Sequence, residues 1–284
     1  MAKVLITGTS KGIGYEATLL LARAGHEVVA TMRNPGASNL EKVATEAKLP
    51  VTVLPMDVDD DTSVADVFKK MGDSIDVLVN NAGIYSINVV EDEDLDQFRR
   101  VMETNYFGAV RCVKQVLPTM RKRGSGRIIN VSSIAGRIAF SSTSAYNASK
   151  FALEAFSECL AQEVKGWGIK VALVEPGIID SAMATTNLPQ YDGNTIYPHG
   201  RRIHAFFTNP EKPEASPTLV GEMIRYVLEG NDSRLRLPVG PDALPFIGWR
   251  AAVSDEDWVG LGGLQPADYW GRVFVDTGMD LRSA

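Results

Sequence analysis

Short apolar runs alternate along the chain with longer amphipathic segments. The runs are almost continuous in hydrophobicity and rich in β-branched residues, which is typical of parallel strands covered on both faces. The predicted strands lie at 4–6, 28–29, 51–54, 77–79, 128–131 and 171–174, with a further one near 234–239. Helices are predicted near 14–24, 38–47, 61–71, 95–123, 144–165 and 218–229. This alternation predicts an α/β fold, a doubly wound parallel sheet with helices on both faces.

The regular alternation fades after Val174. Residues 182–217 are predicted to be an insertion, because prolines interrupt any long helix or strand there. Its ring-bearing side chains either line a lid over an apolar substrate or only pack the segment down: Tyr191, Tyr197, His199, His204, Phe206 and Phe207. We predict one domain over residues 1–240, including this insertion. The role of the C-terminal extension, residues 241–284, stays open.

Composition and charge exclude several classes of protein. A formal net charge of −6 disfavours nucleic-acid binding, which needs a basic surface. Neither Cys112 nor Cys159 has a Cys or His at metal-ligand spacing, and His199 and His204 do not share a helix face, so no disulfide or metal site is predicted. No apolar run reaches the roughly 18 residues of a membrane span, and no signal-peptide pattern opens the chain. We therefore expect a cytoplasmic protein.

A glycine-rich turn follows the first predicted strand and opens the first helix. Its sequence is TGTSKGIG, residues 7–14. Glycines alone do not identify a ligand, since many tight turns use them. Placed between a strand and a helix, however, they let backbone N–H groups and the positive end of the helix dipole approach a phosphate. The turn predicts a Rossmann fold and a dinucleotide that contacts Gly8, Ser10, Lys11, Gly12, Ile13 and Gly14.

More motifs follow the glycine turn in a fixed order. They are Asn80-Asn81-Ala82-Gly83, then Asn105, Ser133, Tyr146-Asn147-Ala148-Ser149-Lys150 and Pro176-Gly177. Together they make residues 3–181 resemble the classical short-chain dehydrogenase/reductases. The string VVATMRNP and the long insertion resemble the branch with the 17β-hydroxysteroid and retinol dehydrogenases. The resemblance implies an oxidoreductase that interconverts a ketone or aldehyde and an alcohol, with a bulky hydrophobic substrate.

Tyr146 and Lys150 stand one turn apart on one face of a predicted helix. A nearby ammonium favours phenolate, so we expect Lys150 to lower the pKa of Tyr146 from its ordinary value of about 10. Tyr146 would donate a proton to a carbonyl oxygen in reduction and accept one in alcohol oxidation. The resemblance implies that Ser133, rather than Ser132, hydrogen-bonds the same oxygen. It also implies that Asn105 supports a water-linked proton path to Lys150.

The choice between NAD(H) and NADP(H) depends on the end of the second strand. An acidic residue there binds the ribose 2′-hydroxyl of NAD, whereas an arginine accommodates the 2′-phosphate of NADP. Here Thr31 takes the expected acidic position and Arg33 follows. Lys11 adds a second positive charge and Ser10 a hydrogen-bond donor. Both cations could instead be solvated surface charges, but their joint placement favours NADP(H), with NAD(H) as the other possibility.

Further cofactor contacts are implied by the resemblance alone. Near the adenosine it implies Asp57, Val58, Asn80, Ala82 and Gly83; near the nicotinamide, Pro176, Gly177, Ile179 and Ser181, together with Tyr146 and Lys150. Ser181 replaces a threonine that the family often has, and it keeps the hydroxyl. Relatives commonly associate through the two long helices, so a homodimer or homotetramer is also expected.

Four other functions compete with a simple dehydrogenase. A non-catalytic NADP(H)-binding sensor or scaffold would have no need for Ser133, Tyr146 and Lys150. A dehalogenase of related fold lacks the intact glycine turn and has arginine at the position of Lys150. A sugar-nucleotide epimerase usually has a longer chain and a different glycine spacing. An acyl hydrolase needs a GxSxG elbow, which does not occur here.

Overall fold

A seven-stranded parallel sheet forms the centre of the molecule, with the strand order 3-2-1-4-5-6-7. The computed structural model describes residues 1–181, 183, 195–209, 214–230 and 232–281. The strands are β1 Lys3–Thr7, β2 Glu27–Met32, β3 Val51–Pro55, β4 Val77–Asn80, β5 Gly126–Val131, β6 Ile169–Pro176 and β7 Arg236–Val239. All the predicted strands are therefore present. The chain crosses from β3 back to β4 beside β1, and ligands bind at such a crossover.

Helices cover both faces of this sheet. The helices predicted at 14–24, 38–47, 61–71, 144–165 and 218–229 are present, and each begins and ends within two residues of its prediction. In chain order the helices are α1 Gly12–Arg23, α2 Leu40–Glu46, α3 Asp61–Met71, α4 Leu95–Met102, α5 Gly108–Arg123, α6 Ser144–Val164, α7 Pro198–Thr208, α8 Pro217–Glu229, α9 Ala243–Ala252, α10 Asp255–Gly260 and α11 Pro266–Thr277. Among the residues just listed as described, no helix is long and apolar enough to cross a membrane.

The central strand shows why the apolar runs are continuous. Val4 and Ile6 point into a core that also contains Leu21 of α1 and Ile224 of α8. Leu5, between them, points to the opposite face, where it packs in a second core with residues of α3, α5 and α6. Because both faces of the strand are buried, odd-numbered and even-numbered positions are apolar alike.

The predicted helix over 95–123 is divided into two. A single π-helical turn, Glu103–Phe107, separates α4 from α5, and the N–H of Gly108 donates to the carbonyl of Glu103. Thr104 Oγ1 donates to Asp59 Oδ2 over 2.8 Å, and Asn105 bonds to Ile84, as described below. These tertiary bonds hold the wider turn. π turns inside α-helices occur frequently at functional sites.

The C-terminal extension packs against its own chain. Phe246, Trp249 and Trp270 are buried in a third apolar core with Ile134 and Ile138 from the segment after β5. The indole N–H of Trp258, also in the extension, donates to the carbonyl of Ala139 over 3.1 Å. This core lies beyond the end of the sheet, next to the pocket that contains Tyr146.

Candidate active site

Two adjoining cavities lie at the carboxyl ends of the strands. The first, called the groove here, runs along the glycine turn and is lined by residues that include Gly8, Ser10, Lys11, Gly12, Ile13, Met32, Arg33, Asp57, Val58, Asn81, Ala82 and Gly83. The second, called the pocket, contains Ser133, Tyr146 and Lys150. Ile13, Tyr85 and Ser181 line both cavities. A ligand in the groove would therefore lie directly beside a ligand in the pocket.

The three predicted glycines of the turn have different structural roles. A Cβ on Gly8 would come within 2.6 Å of Ala82 Cα, and one on Gly14 within 2.5 Å of the Gly8 carbonyl oxygen. Those two positions must be glycine because the chain packs closely on itself. Gly12, at φ +63°, has only the Ser181 side chain nearby, at 3.7 Å. Of the three, Gly12 is the one that leaves room for a ligand against the backbone.

The beginning of α1 fits a phosphate group. Lys11 is the residue at the helix N-cap, its side chain makes no capping bond, and the first turn contains no acidic residue. The first N–H groups of the helix are thus not satisfied by a side-chain cap. With the partial positive charge of the helix end and the Lys11 ammonium, they favour an anion at this place. The groove therefore fits the dinucleotide predicted from the sequence.

One prediction about the end of β2 is wrong. Thr31 does not face the groove: it is buried, and its hydroxyl donates to the carbonyl of Ile6 over 3.0 Å. Met32 and Arg33 line the groove instead. Met32 therefore takes the place at which an acidic residue would meet the ribose hydroxyls. The end of β2 still presents a positive charge and no acid to the groove, because neither Thr31 nor Met32 is acidic and Arg33 is exposed there.

The side chain of Asn80 does not line the groove. Asn80 Nδ2 donates to Asn130 Oδ1 in the neighbouring strand over 2.8 Å, so the amide lies inside the sheet. The next residue, Asn81, lines the groove and donates from Nδ2 to the carbonyls of Thr7 and Gly8, both at 2.9 Å. Asn81 thereby fixes the shape of the glycine turn. The contact of Asn80 with the adenosine stays a prediction.

Ser133, Tyr146 and Lys150 come together in the pocket. The Tyr146 hydroxyl is hydrogen-bonded to Ser133, whose Oγ also accepts from the N–H of Ala135 over 3.1 Å. Ser133 is therefore fixed beside Tyr146, whereas the buried Ser132 hydroxyl has no partner among the described residues. This geometry supports the choice of Ser133 over Ser132.

The expected effect of Lys150 on Tyr146 is not what the structure shows. Burial raises the pKa of Tyr146 to about 12, and the hydrogen bond with Ser133 only partly opposes this. The Lys150 ammonium donates to the carbonyl of Val131 over 2.9 Å and lies 5.6 Å from the centre of the Tyr146 ring. Burial lowers the pKa of Lys150 to about 8. Desolvation thus outweighs the expected electrostatic attraction between the Lys150 ammonium and a Tyr146 phenolate.

Asn105 lies in the π turn, and its amide is fully hydrogen-bonded. Its Oδ1 accepts from the N–H of Ile84 over 2.8 Å, and its Nδ2 donates to the Ile84 carbonyl and to Ser149 Oγ, both over 2.9 Å. It therefore connects the π turn with the segment after β4 and with α6. Its side chain lines neither cavity. The water-linked path to Lys150 stays a prediction.

The turn after β6 brings Pro176, Gly177, Ile179 and Ser181 to the pocket. Their contact with the nicotinamide stays a prediction. Sequence reasoning missed the residue that holds this turn, Asp242. Its buried carboxylate accepts from the N–H of Ile178 over 2.7 Å. Asp242 lies just before α9, far away in sequence, so no local pattern could have identified it.

The insertion and the extension supply the outer walls of the pocket. Phe206 and Phe207 of α7 line it, as do Phe246 and Trp270 of the extension. Of the other rings named in the insertion, Tyr191 lies outside the described residues, and the Tyr197 hydroxyl bonds to the Glu91 carboxylate away from the pocket. His199 and His204 do not line the pocket either.

Sequence reasoning also missed two polar residues of the pocket. Tyr85 packs against Tyr146, with ring centres 4.5 Å apart. Arg202 of α7 is buried and lines the pocket. Arg202 precedes the predicted Phe206 by one helical turn, so helical periodicity could have placed it on the same face.

Comparisons with known proteins agree with this geometry. The family description "short chain dehydrogenase" matches residues 2–192. Oxidoreductase BOA17 of Botryotinia fuckeliana is 38% identical over 274 residues, 91% of this chain and 97% of that protein. Retinol dehydrogenase 8 of Bos taurus is 45% identical over 207 residues, 68% of this chain and 66% of that protein. The crystal structure of a short-chain dehydrogenase from Streptomyces avermitilis superposes with a TM-score of 0.73 at 30% identity, covering 93% of this chain and 99% of that one.

The fold, the cavities and these similarities lead to one conclusion. The chain belongs to the short-chain dehydrogenase family, oxidoreductases that interconvert CH–OH and C=O groups of small molecules with a nicotinamide dinucleotide.

Proposed function

We propose that the protein is an NADP(H)-dependent oxidoreductase that interconverts a bulky hydrophobic ketone or aldehyde and its alcohol, with Tyr146 as the general acid and base. The observation that carries this proposal is the hydrogen-bonded pair of Ser133 and Tyr146 inside a largely apolar pocket that adjoins the groove. When bound, the dinucleotide supplies or accepts the hydride.

Ser133 and Tyr146 would bind the reacting oxygen together. A carbonyl oxygen that accepts hydrogen bonds from both hydroxyls is held in a fixed orientation, and its developing negative charge is stabilised. Tyr146 then transfers its proton to that oxygen, and together with the hydride added to the carbon this gives the alcohol. In the reverse direction the Tyr146 oxygen takes the alcohol proton.

Lys150 would make this transfer easier. A tyrosine with a pKa of about 12 is a weak acid. Forming its phenolate costs free energy because the negative charge is buried away from water. The Lys150 ammonium, 5.6 Å from the ring centre, stabilises the negative charge that Tyr146 acquires. We propose that Asn105 acts indirectly, by holding the π turn and Ser149 next to α6.

The cofactor preference is supported by charge at the groove. Lys11 and Arg33 line it, and Met32 presents no carboxylate to a 2′-phosphate. The nearest acids on the other wall, Asp57 and Asp59, are engaged locally: Asp57 Oδ1 accepts from the N–H of Asp59, and Asp59 bonds to Thr104. Two cations and no acid at the end of β2 favour NADP(H) over NAD(H).

The pocket supports a bulky substrate. Its walls carry the aromatic side chains of Phe206, Phe207, Phe246 and Trp270. Aromatic walls of this extent favour apolar molecules of considerable size. Exposed Phe107 and Phe151, at the π turn and on α6, support the proposal of a homodimer or homotetramer through these helices.

A panel of small, aryl and polycyclic ketones tests the proposal. We would measure NADPH consumption, with NADH in parallel, for the wild type and for Tyr146→Phe. Turnover of one ketone class that Tyr146→Phe abolishes supports the proposal. Tight binding of NADPH without turnover of any ketone or aldehyde would instead favour a non-catalytic NADP(H) sensor or scaffold.

A further inference from the structure

The pocket contains a buried cation for which no acid partner is found among the described residues. Arg202 of α7 is only 5% exposed and lines the same pocket as Ser133 and Tyr146. Its polar contacts are with a hydroxyl and a carbonyl, and neither is charged. An arginine stays charged even when buried, and a buried charge is costly unless it is well paired.

The contacts of Arg202 leave most of its hydrogen-bonding capacity unused. Its Nη1 donates to the carbonyl of Leu264 over 3.5 Å and its Nη2 to Ser141 Oγ over 3.4 Å. Both distances are long, since N–H donors usually lie 2.7–3.2 Å from their acceptor. The ring of Tyr269 covers one face of the guanidinium, 3.6 Å from Cζ. The group has five N–H donors along its edge, and the ring contact does not use them.

A wall of aromatic rings connects this cation with the reacting group. Successive rings are in contact, with centres 4.5–5.8 Å apart, in the order Tyr146, Tyr85, Phe207, Phe206, Trp270 and Tyr269. Tyr269 then lies on Arg202. An apolar molecular body lying along this wall would have its reacting oxygen at one end and the guanidinium at the other.

The other ionisable groups near Arg202 do not neutralise it. His199, one turn earlier on α7, offers no negative charge, and burial and the nearby Arg202 lower its pKa. Glu214 also lines the pocket. Its neighbour Ala215 is paired with Ile178 and Ile179, at the turn after β6, and Glu214 is not among the contacts of Arg202.

We propose that Arg202 binds a carboxylate on the substrate, so that the enzyme acts on a hydrophobic keto acid or hydroxy acid whose acid group lies away from the reacting carbon. A carboxylate accepts two parallel bonds from the guanidinium edge, a geometry that arginine favours. The proposal deepens the proposed function and rests on it for the identity of the reacting group. The binding of a carboxylate does not depend on catalysis and can be tested separately.

The first test measures binding by isothermal titration calorimetry with 2-naphthoate and with its neutral analogue 2-naphthamide. We expect the wild type to bind the carboxylate about 10- to 100-fold more tightly, as for a hydrogen-bonded charged group. Arg202→Met should abolish this preference and Arg202→Lys should reduce it. Arg201→Met is the matched control, because exposed Arg201 contacts the Thr195 carbonyl and does not line the pocket. It should keep the preference.

Equal binding of the two naphthalenes by the wild type, or no binding of either at millimolar concentration, would overturn the proposal. A preference that persists in Arg202→Met would overturn it as well. If Arg202→Met does not fold, which its thermal unfolding curve would reveal, the wild-type comparison and Arg202→Lys decide the question.

The second test follows reduction of 4-acetylbenzoate and of longer (4-acetylphenyl)alkanoates, each beside its amide. The wild type should prefer the acid in kcat/KM, and Arg202→Met should lose that preference without an equal loss for the amide. Reduction that persists in Tyr146→Phe would contradict the proposed function while leaving the binding result intact. Reduction of the ketones with no preference for the acid at any chain length would contradict only the role of Arg202.

Discussion

Gly177 lies directly against the carboxylate of Asp242. A Cβ at Gly177 would come within 2.2 Å of both carboxylate oxygens. The carboxylate cannot move away freely, because it is buried and accepts from the N–H of Ile178. The turn that borders the pocket is thus fixed by a residue from the beginning of the extension.

Gly177→Ala should therefore lower the free energy of unfolding by about 1–3 kcal/mol, the usual cost of forcing an extra carbon into a packed place. It should also weaken NADPH binding, because the added carbon displaces the turn after β6, which borders the proposed binding site of the nicotinamide. Urea unfolding and NADPH titration measure the two effects. Gly248→Ala in α9 is the control, since a Cβ there meets nothing within 4 Å. Equal stability of the two variants would contradict the assigned role of Asp242.

The pH dependence of reduction should follow Lys150. Its pKa is lowered to about 8, so the ammonium that stabilises the Tyr146 oxygen is present below pH 8 and is lost above it. We expect kcat/KM for a ketone to be level below about pH 8 and to fall about tenfold per pH unit above it. Because the pKa of Tyr146 is about 12, Tyr146 itself should contribute no change in this range. A profile that stays level to pH 10 would contradict this assignment.

Arg33→Ala should change the cofactor preference. Loss of a charge-assisted bond to a 2′-phosphate lowers kcat/KM for NADPH by about 10- to 100-fold, with little effect on NADH. Steady-state kinetics with both cofactors measures the ratio. Arg99→Ala is the matched control, since Arg99 is exposed on α4 and pairs with Asp96 outside the groove. An equal loss with both cofactors would argue against a 2′-phosphate contact.

Glu175 should make stability depend on pH. Burial, and then repulsion by Glu154, raise the pKa of Glu175 to about 7 from an ordinary value of 4.5, despite Arg137 and Arg236. The folded state therefore holds a proton that the unfolded state releases between these values. The stabilisation is present below pH 4.5 and is lost as the pH rises to about 7.

Glu175→Gln should thus lose less stability than the wild type between pH 5 and pH 7.5, as measured by urea unfolding at both values. Glu158→Gln is the control, because exposed Glu158 also pairs with Arg236 but is not buried. If Glu175→Gln and the wild type show the same pH dependence, the carboxyl is not protonated in the folded state.

Trp270→Ala should destabilise the protein and impair binding of bulky ketones. The indole is buried in the third core and stacks on Phe206 with centres 5.5 Å apart. Truncation of such a ring costs about 3–5 kcal/mol, and here it also removes part of the pocket wall. Trp167→Ala is the control, because Trp167 is exposed. Within the part of the chain that the structure describes, its ring stacks on no other ring and contacts one cation, Arg121. This substitution should cost about 1 kcal/mol or less. Similar losses for the two variants would mean that the extension contributes little to folding.

Periodicity predicted all seven strands, and the fold class follows from their alternation with helices. The motif order identified the family, as the comparisons confirm. The same periodicity could not tell which residue at the end of β2 faces the groove. Both faces of that strand are buried, so the run Val28 to Met32 contains no polar alternation that would fix the direction of each side chain.

The pKa of Tyr146 shows a second limit. From the sequence, the charge of Lys150 is visible one turn away, but the loss of water around Tyr146 is not. Desolvation depends on how many segments close over the ring, and here it is the larger effect. The π turn at Asn105 is similar, since bonds to Ile84 and Ser149 hold it and nothing in the helix itself requires it.

The sequence by itself determined the parallel sheet, the glycine turn and the one-turn spacing of Tyr146 and Lys150, because the hydrophobicity of a strand, the geometry of a turn and the periodicity of a helix are local properties. Only the tertiary structure decided that Asp242 holds the turn at Gly177 and that Trp270 and Arg202 shape the pocket. These residues are far from Tyr146 in sequence. Asp242 and Trp270 reach the pocket because the extension packs its buried rings against Ile134 and Ile138, and Arg202 reaches it because Phe206 of the same helix is buried in that core. Burial of apolar surface from distant segments therefore decides these positions.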